Sequence, residues 1–188
     1  MFVDITLLVT PEMIENAHGN EQKSFSGHLG THFDVMNKEF PLESLRRKAV
    51  VFDVSQVQDR EISARDVDLN LVEKDMFVAF YSGFIEKVGY GGKVYFSEHP
   101  QLSDELIDAL LARHVSIIGV DFAGMRRGVE HTPKDQYCAD RGVFVVENLC
   151  NLQAVLQGKS STFFTAYTFP VKYAEMTGLP CRVVAEVF

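Results

Sequence analysis

Gly27-His28-Leu29-Gly30-Thr31-His32-Phe33-Asp34-Val35-Met36-Asn37-Lys38 places two imidazoles, a carboxylate and an ammonium within eleven residues, with two glycines among them. Imidazole and carboxylate are the usual protein ligands of zinc, manganese and related ions. Spacing decides which backbone could use them. On a helix His28 and His32 share a face, but Asp34 turns away from it. On a strand all three side chains point the same way, because the side-chain period is two. A straight strand at ~3.3 Å per residue would set His28 and His32 roughly 13 Å apart, near the limit for two imidazoles on one ion. A bend at Gly30 shortens that distance, and glycine within a strand often marks such a bend. The stretch reads as a bent strand or strand end converging on a cation. The alternative is a polar strand face making ordinary hydrogen bonds.

The bulk of the chain bounds the classes of function. It has 188 residues, 46% of them hydrophobic, which suits one domain spanning 1–188 with a sizeable core. Acidic residues outnumber basic ones by 26 to 18, the net charge is −8, and no long basic run occurs. A nucleic-acid partner is therefore not expected. No apolar run approaches the ~20 residues that span a bilayer, so no membrane role is expected. Met1-Phe2-Val3-Asp4 lacks a positive segment leading into an apolar one, so no signal peptide is expected either. Cys138, Cys150 and Cys181 are odd in number and widely spaced. They read as free thiols of a cytoplasmic protein, not as a disulfide framework.

Along the chain, residues 2–9 read as a strand, and Thr10-Pro11 stops it and starts a short helix. Residues 18–24, with His18, read as a polar loop. Arg46-Arg47-Lys48 reads as the basic end of a helical turn. Strands are expected at 49–54, 75–81, 115–121, 142–147, 161–169 and 181–187, with Thr177 to Pro180 as a turn. A short helix is expected to start within 63–66. Ser103 caps the clearest helix, in which Leu106, Ile107, Leu110 and Leu111 recur at helical spacing. A second short helix is expected from Leu149 to Leu156. Residues 122–134 read as a long polar loop, with a helical turn from about Asp135. Gly89-Tyr90-Gly91-Gly92 lacks the Gly-Lys-Ser/Thr ending of a phosphate loop and reads as a lid or turn. Strand–helix–strand alternation implies parallel pairing in a mixed α/β sheet.

His28-x-Gly30-Thr31-His32-x-Asp34 resembles the signature of the cyclase family of metal-dependent hydrolases, which includes bacterial kynurenine formamidases. That pattern runs His-x-Gly-Thr-His-x-Asp-x-Pro-x-His; here Met36 stands at the Pro and Lys38 at the last His. Ile118-Gly119-Val120-Asp121, Val146-Glu147-Asn148-Leu149, Phe169-Pro170-Val171-Lys172 and Gly178-Leu179-Pro180-Cys181-Arg182 resemble further family landmarks in order. The resemblance implies a compact α/β domain of the swivelling β/β/α type, a mixed barrel-like sheet with flanking helices.

It also implies a site. His28, His32 and Asp34 become metal ligands, and Glu147, at the end of an apolar strand, completes the shell or acts as base. The family has a His twelve positions before that Glu. Asp135 holds this position here and is the favoured ligand, with His131 one helical turn upstream as the alternative. Thr132-Pro133 argues against a helix that includes His131. Lys38 replaces the family's acid–base His. An ordinary ammonium is no base near pH 7, so its expected role is electrostatic: to stabilise an oxyanion, or to stand among Asp34, Asp135 and Glu147 in place of a second ion. The alternative for Lys38 is a solvated surface residue. His99, His114 and Cys138 read as structural.

The function expected is a metal-dependent hydrolase of an amide or cyclic amide C–N bond, formamidase-like, using one divalent ion per chain, zinc with manganese as the alternative. Its partners would be a small-molecule substrate and a second copy of the chain, most simply in a dimer. The alternative is a cyclase-like scaffold with altered or lost catalysis that binds metal or a small molecule.

Overall fold

A computed structural model describes residues 1–17 and 27–188. The loop expected at 18–24, His18 included, lies outside the described residues. The strands are β1 (Phe2–Asp4), β2 (His32–Asp34), β3 (Arg46–Asp53), β4 (Phe77–Tyr81), β5 (Ile117–Val120), β6 (Phe144–Glu147), β7 (Ser161–Pro170) and β8 (Gly178–Glu186). The helices are α1 (Pro11–Ala17), α2 (Phe84–Val88), α3 (Lys93–Ser97), α4 (Asp104–Ala112), α5 (His131–Ala139) and α6 (Leu152–Leu156). Among the described residues no helix is long and apolar enough to cross a membrane.

The sheet runs β1-β8-β2-β6-β5-β4-β3-β7, and β7 pairs back onto β8. Seven strands therefore close into a barrel, with β1 added along one end of β8. β3, β4, β5 and β6 are mutually parallel, and the remaining pairs are antiparallel. This is the mixed barrel-like sheet with flanking helices that the family pattern implied. A parallel sheet covered on both faces takes apolar residues at every position, which is why these strands read as continuous apolar runs. Along β3, Ala49 and Val51 fill the barrel with Phe77, Ala79, Ile117 and Phe164. Val50 and Phe52 face outward and pack with Val78, Phe80 and Ile118 against Leu106, Ile107 and Leu110 of α4. Ser103 caps α4 by accepting the Leu106 N–H.

Gly119 makes the barrel fit. A Cβ there would lie 2.3 Å from the Phe77 ring and 2.8 Å from Leu149 Cδ1. Gly119→Ala is expected to cost about 1–3 kcal/mol through overpacking; urea denaturation measures it, and an unchanged midpoint would refute the tight fit.

Several expected boundaries shift. The first strand is short, and Thr6 makes only a single bridge, to Leu149. Arg46, Arg47 and Lys48 are not a helix end: they open β3 and pair with Tyr167, Ala166 and Thr165 of β7. Gly178, Leu179 and Pro180 are not a turn: they open β8 against β2. In both places long-range pairing overrides a local signal.

Candidate metal centre

In β2, Phe33 points into the barrel and meets the Phe40 ring at a tilt, with centroids 4.6 Å apart. His32 and Asp34 therefore face outward, as the period of two requires. The register pairs His32 with Glu147 at the end of β6 and Asp34 with Val145, which brings Glu147 onto the same face. Helix α5 lies over this face and adds His131 and Asp135. His28 Nε2 is 3.1 Å from Asp34 Oδ1, and His32 Nε2 is 3.6 Å from Asp34 Oδ1 and from Glu147 Oε2. His131 Nε2 is 2.9 Å from Glu147 Oε1 and 3.1 Å from Asp135 Oδ2. Two donor sets result, His28, His32, Asp34 and Asp34, His131, Asp135, Glu147, each with its donor atoms within 4.8 Å of one another. Asp34 belongs to both.

Gly30 provides the bend that brings His28 back, with φ +70°, a conformation glycine adopts without strain. The two imidazole rings meet edge to face with centroids 4.9 Å apart. The Gly30 carbonyl accepts from His32 Nδ1 at 2.9 Å and from Asn148 Nδ2 at 2.8 Å. A carbonyl only accepts, so His32 Nδ1 carries a proton, and Nε2 is the ring nitrogen that faces the carboxylates and is placed to ligate an ion. Asn148 Oδ1 in turn accepts from the Tyr95 hydroxyl at 2.7 Å. Thr31 Oγ1 donates to the Asn148 carbonyl, and the Tyr90 hydroxyl accepts the Gly30 N–H at 3.0 Å. Tyr90, from the glycine-rich stretch read as a lid or turn, thus braces the bend. Sequence reasoning missed Asn148, Tyr95 and Tyr90 in this role; only the Asn next to Glu147 left a trace, within a family landmark.

The site is short of positive charge. Asp34, Asp135 and Glu147 are each at most 3% exposed. Asp34 Oδ2 and Asp135 Oδ1 are buried with no hydrogen-bond partner among the described residues. Burial would raise Asp34, but His32 and His28 hold it well below the usual carboxylate range. Burial lifts Asp135 to about 8 against the pull of His131, and Asp34 adds to the rise. Glu147 is raised by burial and by Asp34. Burial would lower both histidines, but the surrounding carboxylates push His32 to about 9 and His131 to about 12. These are the signatures of a donor set that shares protons where a cation would serve.

Two expectations are corrected. Helix α5 begins at His131, because Pro133 falls in its first turn, where the N–H it lacks has no partner in any helix. His131 and Asp135, one turn apart, therefore both face the cluster, and the choice between them dissolves. Lys38 is not among Asp34, Asp135 and Glu147. After Asp34 the chain turns: Met36 takes φ +57° and Lys38 N–H donates to the Val35 carbonyl. The strand alternation ends there, and the Lys38 ammonium pairs with Asp140 at 2.7 Å, half exposed at the rim.

Three comparisons place the chain among known proteins. Residues 3–125 match the Cyclase family model, a span that takes in His28, His32 and Asp34. No curated protein matches. Among solved structures, a potential metal-dependent hydrolase with cyclase activity superposes with TM-score 0.75 at 19% identity, over 98% of this chain and 96% of that one. Isatin hydrolase A from Labrenzia aggregata, bound to benzyl benzoate, gives 0.73 at 20% identity, over 100% and 93%. A predicted metal-dependent hydrolase from Bacillus stearothermophilus gives 0.71 at 18% identity, over 98% and 97%. The structural likenesses concern the fold. With the family match covering well over half of its length, this chain belongs to the cyclase family.

Proposed function

We propose that this protein is a metal-dependent hydrolase that opens the C–N bond of an amide or cyclic amide, formamidase-like in its reaction, with two divalent ions in its site. The observation that carries the reading is the pair of buried oxygens, Asp34 Oδ2 and Asp135 Oδ1, that have no partner among the described residues and lie among three imidazoles and three carboxylates. Burying such carboxylates without compensation costs several kcal/mol each. Divalent cations supply the compensation, and a donor set of imidazole nitrogen and carboxylate oxygen suits zinc or manganese. His28, His32 and Asp34 would hold one ion, and Asp34, His131, Asp135 and Glu147 the other. The sequence favoured one ion; the arrival of His131 where Lys38 was expected supports two.

When bound, such ions polarise a carbonyl oxygen and make water more acidic. The chain's own residues orient and move protons. The Gly30 carbonyl fixes the His32 tautomer. Glu147, between His32 and His131, takes the proton of the water that adds to the carbonyl carbon and returns it to the amide nitrogen as the C–N bond breaks. Lys38, held by Asp140, stays out of the reaction. Isatin is a cyclic amide, so the isatin hydrolase of this fold supports the same bond class.

Metal analysis of protein purified without chelator, followed by assays on N-formyl anilines, N-formyl-kynurenine and isatin, tests the reading. Metal with turnover on one of them supports it. Metal without turnover on any favours the second reading, a cyclase-like scaffold that binds metal or a small molecule without catalysis, to which the displaced Lys38 lends weight. Variants separate the residues. His131→Ala is expected to lower the metal content from two ions to one and activity by on the order of 10²-fold or more. Lys38→Ala is expected to keep both ions and most of the activity; a loss like that of His131→Ala would return Lys38 to the mechanism.

The same reading includes self-association, most simply as a two-fold dimer. Of the aromatics on β7, Phe164 is buried in the barrel and Tyr167 is bonded to Glu186. Phe163 and Phe169 stay more than half exposed, with Tyr173 nearby in sequence also exposed. Light scattering is expected to give twice the chain mass at micromolar concentration; a monomer would refute this.

A further inference from the structure

A cavity of about 710 Å³ lies at the ends of β3 and β4, and none of the six candidate metal donors lines it. It falls in the size range of small-molecule sites. Its lining is largely polar, and two of its polar groups are fixed. Ser82, on one wall, is anchored by the buried Asp121, which accepts from the Ser82 N–H and hydroxyl and from the Gly83 N–H. His99, on another, is 1% exposed and stacks on Phe122 with centroids 5.6 Å apart. Its Nδ1 lies 2.7 Å from the Pro100 carbonyl. That carbonyl can only accept, so Nδ1 bears the proton and Nε2 is left as an acceptor. Burial keeps the ring neutral, lowering its pKa to about 4. No hydrogen-bond partner for Nε2 occurs among the described residues, so this acceptor is left open to a ligand or water in the cavity.

The charges of the cavity divide in two. Arg60 is held by both oxygens of Asp66, and Glu61 is held by Arg126. Arg127 and Lys87 remain as cations and Asp59 and Glu98 as acids, none with an ion-pair partner among the described residues. The cations call for an anion, and the His99 Nε2 with Glu98 calls for an N–H donor. A small zwitterion meets both demands at once, and Val57, Phe84 and Pro100 give an apolar patch for its side chain. We infer that this cavity is a binding site for a free α-amino acid, its carboxylate held by Arg127 and Lys87 and its amino group donating to His99 Nε2. The site is independent of the metal reading, because it shares no donor with it.

L-phenylalanine is the probe, titrated into the whole chain by calorimetry and by ¹⁵N resonance of the His99 ring, with and without chelator. Saturable binding is expected, with a shift of the Nε2 resonance. Phenethylamine and 3-phenylpropanoate, each lacking one charge, are expected to bind at least about tenfold more weakly. Arg127→Gln and His99→Phe are each expected to weaken L-phenylalanine by about tenfold or more. His99→Phe keeps an aromatic ring against Phe122; if it does not fold, Arg127→Gln alone decides. Absence of saturation below roughly 10 mM, equal binding of either one-charge analogue, or unchanged binding by Arg127→Gln would overturn the assignment. Loss of metal or of hydrolysis would not.

Discussion

Asp34→Asn is expected to release both divalent ions together and to lower hydrolysis by on the order of 10³-fold or more, because one carboxylate serves both donor sets. The amide is nearly the same size and keeps the strand, but it carries no charge and offers one weak oxygen. His32→Ala, by contrast, removes a donor from the first set only and is expected to retain the ion held by His131, Asp135 and Glu147. Elemental analysis of the two purified variants distinguishes these outcomes, and circular dichroism checks that each is folded. The fold should survive both changes, since the apolar faces of β3, β4 and β5 lie within the barrel and under α4. An Asp34→Asn protein that kept one full equivalent of metal would show that the two sets do not share this residue.

Part of this site was legible in the chain before any coordinates. His28, His32 and Asp34 share a parity and flank a glycine, and a strand converts parity directly into a common face. Glu147 was legible too, as the acid closing an apolar strand. What failed was local rule against local rule. Thr132-Pro133 reads as a break, which leaves His131 only as the alternative to Asp135; yet a proline inside the first helical turn breaks nothing, and the i, i+4 spacing places both on one face. Lys38 has the right parity to follow Asp34, but parity holds only while the strand lasts, and the strand ends four residues earlier. The barrel shows the same division. Each apolar run announced its strand, whereas closure depends on β7 meeting both β3 and β8, a long-range pairing that no window of sequence contains. Gly178 to Pro180 looked like a turn for that reason: only the partner strand reveals them as its complement.

Removing the metal should make stability depend on pH with a definite sign. A group whose folded pKa exceeds its unfolded value stabilises the fold below the unfolded pKa and loses that contribution as pH rises toward the folded one. Burial would lower His32 and His131, but the carboxylates around them raise both, to about 9 and about 12, so each begins to lose its contribution above about 6.5. Asp135, raised by burial to about 8, destabilises progressively from its ordinary 3.8 up to about 8. Asp34, held low by its histidines against the effect of burial, changes only below 3.8 and is silent in this window. Burial lowers His99 to about 4, so its effect runs between about 4 and 6.5, where stability rises with pH, and then ends. Between about pH 6.5 and 9 the shifts of His32, His131 and, up to about 8, Asp135 thus act in one direction. The metal-free protein is expected to lose on the order of a few kcal/mol of stability across that interval. With zinc in excess the dependence should flatten or reverse, because bound ions favour the deprotonated donors and binding itself tightens as protons leave. Thermal unfolding at pH 6.5 and 9, with chelator and with zinc, reads all four states. A metal-free protein equally stable at both pH values would mean that these buried carboxylates and imidazoles do not share protons as their distances require.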